Sequence, residues 1–408
     1  MRATCGPPQP RGSDVTVAQA ADTGAWELPN ELVMLRDTVR RFMAAHVHPI
    51  EEKLDHDTAG LPREQLVGLQ EHARALGLWA LQTPEEFGGA GLSVLGQVVV
   101  TEEASKCRMG AFFPALGAFG GNPPNIMFKA SAEQFAKYAQ PIIDGTMTKA
   151  YTAITEAAGG SDPARAIQLK AVRDDSGHYV LNGSKMWISH ATGADWGVVY
   201  ARTGAGRLGI SAFILEKDTP GVTFSRTGVM ASFAPYELHF DNVRLPAGQL
   251  IGAEGQGFAL AGDFLVHGRI IYAAGPIGIA QSALDMACGW ARERDVFGGK
   301  LADKQGIQWM LVDSEVQLRA ARLLMYQAAW NADLGKNVRV DASIAKMYGT
   351  EAAYQVLDRC IQIHGALGIS EELPLERWFR DLRVKRLGEG ATEVQRELVA
   401  RELLKGPR

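Results

Sequence analysis

Five short stretches of the 408-residue chain hold residue types suited to chemistry. The most C-terminal is LGEGATEVQREL, where one carboxylate, Glu389, stands between Gly388 and Gly390 just before a helical pattern. Glycines on both sides let a ligand approach the backbone, and a carboxylate there can accept a proton. The plain alternative is an acid that partners the dipole of the following helix.

The other four stretches offer donors and flat surfaces. In AITEAAGGSDPAR, a strand ending at Ile154 and Thr155 runs into a turn with Gly159, Gly160 and Ser161. Its N–H groups and hydroxyls suit an anion or a polar ring, although a structural turn has the same composition. It is not GxGxxG, so no dinucleotide fingerprint follows. In KMWIS, Trp187 and Ser189 fall on one face of a predicted strand, where an indole can stack on a planar group or fill a core.

RERDVFGGKLADKQ sets Arg294, Phe297 and Gln305 around a Gly-Gly loop. The guanidinium fork suits phosphate, the ring stacks and the amide reads a base edge, while a solvated loop between helices is the alternative. QIHGALGI carries Gln362, His364, Gly365 and Ala366 at the end of a helix, which also reads as simple helix termination. The nine histidines form no HExxH or other ligand spacing, so no metal site is expected.

The elements that must position these groups are legible from periodicity. Val33, Met34, Val39, Phe42 and Met43 recur at helical spacing after Pro29, with Asn30 as the expected N-cap. Amphipathic segments continue to about residue 149. Runs rich in Val, Ile, Tyr and Phe then mark strands, among them HYVLNGSKMWIS, where Asn182-Gly183 predicts a type I′ hairpin turn. From Phe258 long helices return. Leu311, Leu318 and Met325 repeat every seven residues with Ile307 and Ala321 on the same side, as in a bundle. Asp341 is the expected cap of the next helix. This layout is α+β: a flexible tail at 1–25, a helical domain at 26–149, a β domain at 150–257 and a helical bundle at 258–408.

Composition narrows the function. The net charge is −4 and no basic run marks a nucleic-acid footprint, so small molecules or proteins are the expected partners. The four cysteines, Cys5, Cys107, Cys288 and Cys360, form no CxxC pair, which fits a reducing cytoplasm. No apolar run reaches the roughly 18 residues that a membrane span needs.

In order and spacing, AITEAAGGSD, KMWIS, RDVFGGKLADKQ, QIHGALGI and GEGATEVQR together resemble the acyl-CoA dehydrogenase family from about Trp26 to the C-terminus. The resemblance implies a helical N-terminal domain, a middle β-barrel or sandwich and a C-terminal four-helix bundle. FAD would lie between the last two and across a subunit interface, implying a homotetramer, or at least a dimer. Ile154, Thr155, Gly160 and Ser161 would contact the flavin, with Trp187 and Ser189 beside its ring system. Arg294, Phe297 and Gln305 would reach a neighbouring subunit's FAD. Gln362, His364, Gly365 and Ala366 would contact pyrophosphate, and Ala391, Thr392 and Glu393 would add cofactor contacts.

Glu389 matches the family's catalytic base, and Gly388, Gly390 and Arg269 match substrate-contacting positions. Some members carry the base on an earlier helix, at the position of Gly268 here; a glycine there leaves Glu389 as the sole candidate. The implied reaction takes the α-proton of an acyl-CoA to Glu389 and the β-hydride to flavin N5, with electrons passing to an electron-transfer flavoprotein. Enoyl-CoA reduction, flavin monooxygenation or a non-enzymatic scaffold of the same fold are the alternatives. Three departures stand out. Gly388 replaces a common aromatic, which would free space for a branched or bulky acyl group. Ala391 replaces a threonine and Arg165 a small residue.

Overall fold

The computed structural model describes residues 27–406, so the tail at 1–25 and Cys5 lie outside the described residues. The N-terminal part is helical. Helix α1 (Asn30–Phe42) buries Leu32, Val39 and Phe42, α2 is Arg63–Ala75 and α3 is Val94–Ala104. Asn30 is the first helical residue rather than the cap. Pro29 takes that place because its carbonyl already accepts from the N–H groups of Leu32 and Val33 at 2.9 and 3.0 Å.

Helix α3 joins the N-terminal part to the C-terminal bundle. Its first N–H groups, on Val94 and Leu95, donate to the Asp333 carboxylate at 2.7 and 3.0 Å, which satisfies donors that a helix start leaves unpaired. At its other end Glu102 accepts from Arg322 at 2.7 Å and Tyr326 at 2.9 Å. One wall of the cavity described below is therefore tied down at both ends.

The middle part is an eight-stranded mixed sheet. Its strands are β1 (Ala150–Ala153), β2 (Lys170–Arg173), β3 (Tyr179–Ile188), β4 (Trp196–Arg202), β5 (Ile210–Glu216), β6 (Val222–Arg226), β7 (Tyr236–Leu245) and β8 (Leu250–Ile251). The order is β6-β7-β3-β2-β4-β5-β8, with β1 parallel to β4. Strand β4 alternates between two cores. Trp196, Val198 and Tyr200 join Ile126, Tyr138 and Ile142, whereas Val199 and Ala201 join Leu181, Phe213 and Phe240. Burial on both faces explains why WGVVYA reads as a continuous apolar run.

Asn182-Gly183 does not turn the chain. Strand β3 runs through it with a shift of register against β7 between Leu181 and Gly183. The Asn182 side chain accepts from the Asn242 N–H at 2.9 Å, and Gly183 has φ +140° where a Cβ would meet Leu169 at 3.0 Å. The pair makes a bulge, the other structure that a strand glycine serves.

The C-terminal part consists of α4 (Gly257–Glu293), a hairpin of β9 (Asp295–Val296) and β10 (Gly299–Lys300), then α5 (Gln305–Asp333), α6 (Arg339–His364), α7 (Leu375–Lys385) and α8 (Thr392–Leu403). At 37 residues α4 is roughly 55 Å long. The heptad stripe packs inward, with Leu318, Ala321 and Met325 fully buried. Asp341 lies in the first turn of α6, two residues inside its start, rather than at the cap.

Candidate active site

Two flat surfaces face outward from different parts of the chain. At the end of β3, Trp187 has φ +64° and His190 φ +62°, left-handed conformations that cost a non-glycine residue energy and persist only where surrounding structure imposes them. The left-handed residue breaks strand alternation, and Trp187 is 50% exposed, so it is not a core tryptophan. Thr155 is alongside, its carbonyl accepting from the Met186 N–H at 2.8 Å. Ser189 and Ser161 are both exposed.

A buried ion pair that the motifs did not reveal holds this corner. The Lys185 ammonium, fully buried, donates to the Ile154 carbonyl at 2.9 Å and the Glu156 carboxylate at 2.7 Å. Glu156 in turn accepts from the N–H groups of Gln168 and Leu169. Burial pushes the Lys185 pKa down to about 8, against the pull of Glu156. The turn itself works differently from the sequence expectation. Gly159 is required by packing, since a Cβ there would meet the Ala166 Cβ at 2.3 Å, and its N–H is committed to the Glu156 carbonyl at 3.2 Å. A Cβ at Gly160 would come only to 3.4 Å of Thr155, which leaves that side of the turn open.

The second surface gathers the third and fourth stretches. The guanidinium of Arg294 lies 5.6 Å over the Trp290 ring, which stacks on His364 at 5.8 Å and 19°. His364 is buried, with Nδ1 2.7 Å from the Cys360 carbonyl, and burial pushes its pKa down, so the ring is neutral and Nδ1 donates. At the β9–β10 tip Phe297 has φ +49° and is 99% exposed. Gln305 opens α5 and is exposed, as are Gln362, Gly365 and Ala366. Among the described residues no hydrogen bond, ion pair or ring contact joins this surface to Thr155, Trp187 or Ser189. An outward tryptophan beside hydroxyls, and an arginine with an outward phenylalanine beside a neutral histidine, fit the planar ring and the anionic phosphates of FAD as two half-sites.

Glu389 is held from three sides. After α7 the chain turns back, with the N–H groups of Leu387 and Gly388 on the Val384 carbonyl. Glu389 and Gly390 are then both left-handed, at φ +54° and +89°. Lys346 of α6, fully buried, donates to the carbonyls of Gly390 at 2.8 Å and Arg386 at 3.1 Å. Gln395 of α8 donates to the carbonyls of Glu389 and Gly390 at 3.1 and 3.2 Å. Thr392 and Arg386 both bind Glu351, at 2.7 and 2.8 Å. The Glu389 N–H donates to no group among the described residues and is free to meet a ligand oxygen. Its exposed side chain shares the site with Arg269, whose guanidinium pKa is lowered by burial and partly restored by the Glu389 charge. Ala391 precedes α8, and Glu393 is exposed in its first turn.

A cavity of about 360 Å³ adjoins this loop, between α3, α4 and the segment carrying Gly110 and Phe112. Gly268, Tyr272 and Lys385 contribute to its wall. The space expected above Gly388 is not free. A Cβ at Gly388 would lie 2.2 Å from the Tyr272 hydroxyl and 3.1 Å from its Cζ. The aromatic that is missing from the loop is supplied by α4, so Gly388 makes room for Tyr272 rather than for a bulkier acyl group.

The chain is similar to known proteins along all three of its parts. Residues 29–146, 152–243 and 255–404 match the N-terminal, middle and C-terminal domains of acyl-CoA dehydrogenase in turn. An acyl-CoA dehydrogenase of Bacillus subtilis (strain 168) is 36% identical over 384 residues, covering 92% of this chain and 98% of its own. The structure of butyryl-CoA dehydrogenase from Megasphaera elsdenii superposes with a TM-score of 0.82 at 32% identity, covering 94% of this chain and all of that one. A FAD complex of PigA aligns with a TM-score of 0.83 at 26% identity, over 94% of this chain and all of that one. The chain therefore belongs to the acyl-CoA dehydrogenase family of FAD-dependent oxidoreductases.

Proposed function

We propose that the protein removes two hydrogens from the α and β carbons of an acyl-CoA thioester, giving the trans-2-enoyl thioester, with Glu389 as the base. The observation that carries this reading is the loop around Glu389: a carboxylate and an uncommitted N–H on one left-handed residue, fixed by Lys346 and Gln395. The α-hydrogen of a thioester is too weakly acidic for a free carboxylate. An N–H aimed at the carbonyl oxygen stabilises the enolate charge as it develops, and a fixed donor costs no reorganisation. The Glu389 carboxylate takes the proton, and Arg269 places a positive charge beside it. FAD, when bound by Thr155, Trp187 and Ser189, supplies the hydride acceptor.

Gly390, left-handed and without a side chain, lets the thioester approach the backbone. Arg294, Phe297 and Gln305 complete the FAD site of a neighbouring subunit in a homotetramer. The exposure of Phe297 at a hairpin tip supports this, because a solitary 99% exposed aromatic gains nothing within its own chain. Electrons then pass to an electron-transfer flavoprotein. No helix among the described residues is long and apolar enough to cross a membrane.

Purification followed by an absorption spectrum and anaerobic addition of saturated acyl-CoAs tests the reading. Yellow protein that bleaches with at least one thioester is expected. Colourless protein that takes up no added FAD would refute the flavoenzyme assignment, and flavin that no saturated thioester bleaches but that, once reduced with dithionite, is reoxidised by an enoyl-CoA would reassign the direction.

A further inference from the structure

The cavity beside the Glu389 loop contains a cation. Lys385, the last residue of α7, lines it together with Phe112, Ile271 and Tyr272. The ammonium lies 4.8 Å from the Phe112 ring centre and 4.5 Å from that of Tyr272. Among the described residues it makes no hydrogen bond and no ion pair. Two carboxylates lie within its field, Asp381 and Glu389. Asp381, one turn back on α7, is committed: it accepts from the N–H and hydroxyl of Ser232 at 2.8 Å each and faces Arg377 at 3.9 Å. Glu389 is the proposed base. On the sheet side His190 feels this charge: its pKa is pushed down to about 4 by burial and by the charges of Lys149 and Lys385.

Ser105 gives a second, independent sign of polarity in the same wall. It lines the cavity and is fully buried, and its hydroxyl has no hydrogen-bond partner. Buried hydroxyls and ammonium groups are ordinarily paired, since an unpaired one carries its whole desolvation cost. A saturated hydrocarbon tail in this cavity would exclude water from Lys385 and offer nothing in return. The two ring faces recover only part of the hydration that an ammonium gives up.

We propose that the acyl group taken by this protein carries its own carboxylate, bound by the ammonium of Lys385, so that the substrate is the monothioester of a short dicarboxylic acid. Chain length follows from Tyr272. Its hydroxyl faces Gly388, next to Glu389, while its ring lies against Lys385. The ammonium is therefore about one aromatic side chain from the reacting carbons. Burial lowers the Lys385 pKa to about 8, so it is still mostly charged at neutral pH, and an incoming carboxylate would hold it so. The proposal rests on the dehydrogenase reading in that the thioester end is placed beside Glu389.

The test compares binding of glutaryl-CoA and pentanoyl-CoA to the FAD-loaded protein by calorimetry, with flavin bleaching recorded separately. The two probes differ only in a terminal carboxylate against a terminal methyl. Wild type should bind glutaryl-CoA at least tenfold more tightly. Lys385→Met should lose that preference through weaker glutaryl-CoA and stronger pentanoyl-CoA binding, and Lys385→Arg should keep it. Wild type that binds pentanoyl-CoA equally well would overturn the proposal, and this comparison holds even if the variants fold poorly. An equal loss for both probes in Lys385→Met would also overturn it, by showing a structural role. Preferential glutaryl-CoA binding without bleaching by any thioester would leave this proposal standing and refute the dehydrogenase reading. Bleaching by pentanoyl-CoA with no preference for glutaryl-CoA would do the reverse.

Discussion

Replacing Gly388 by alanine tests how the site is packed. Gly388 is not left-handed, so the backbone accepts an alanine and the whole effect is steric. The new methyl would lie 2.2 Å from the Tyr272 hydroxyl, well inside contact distance, and Tyr272 or the loop must give way. Overpacking of this kind costs about 1–3 kcal/mol. Tyr272→Phe removes the clashing oxygen, and the next contact is Cζ at 3.1 Å, which a few tenths of an ångström relieves. The hydroxyl makes no hydrogen bond among the described residues, so Tyr272→Phe alone should cost little. The double variant should regain most of the loss, giving a coupling of about 1–2 kcal/mol. Urea unfolding at one protein concentration with saturating FAD measures stability, and anaerobic flavin reduction reports on the loop. Unchanged stability in Gly388→Ala, or strictly additive effects in the double variant, would refute the claim that Tyr272 fills the space above Gly388.

Lys346→Met removes the donor to the carbonyls of Gly390 and Arg386, leaving buried acceptors unsatisfied. A loss of about 1–3 kcal/mol in stability is expected, with kcat reduced at least tenfold and substrate binding changed less; steady-state kinetics and unfolding curves check both. His190 gives stability a pH dependence. Its folded pKa, about 4, lies below the unfolded value near 6.5, so between these the unfolded chain binds a proton that the folded one refuses. The stability His190 confers is full above pH 6.5 and falls as pH drops toward 4, by about 2 kcal/mol between pH 7 and pH 5. His190→Phe, which keeps a ring against Phe113 and Phe233, should reduce the pH 7 to pH 5 difference in unfolding free energy by that amount.

Features written in local sequence were the ones legible from it. The heptad of Leu318 and Met325, the Val- and Ile-rich runs of the strands and the order of the five motifs each depend on neighbours in the chain, and the family's three-part architecture followed from them. Asn182-Gly183 misled because the same dipeptide serves a turn or a bulge, and only pairing with Asn242 and packing on Leu169 decide between them. On spacing alone Trp187 read better as a core residue, and its left-handed backbone turns it outward. Lys346 and Tyr272 lie outside the five stretches, and Gln395, Lys185 and Glu156 lie inside them without their roles showing there. Gln395 acts on carbonyls five and six residues before it, and the others act on segments distant in sequence, through a carbonyl, a carboxylate or a steric contact that periodicity cannot report. Gly388 shows the same limit: its vacancy is real in the loop but is filled from another helix.

The most direct test of the central claim is anaerobic single-turnover reduction of the flavin by a bound acyl-CoA, in wild type and in Glu389→Gln, both carrying full FAD. With Glu389 as the base, the variant should bind the thioester but bleach at least 10²-fold more slowly, in line with the loss of a positioned general base. Bleaching by Glu389→Gln at the wild-type rate would contradict the account.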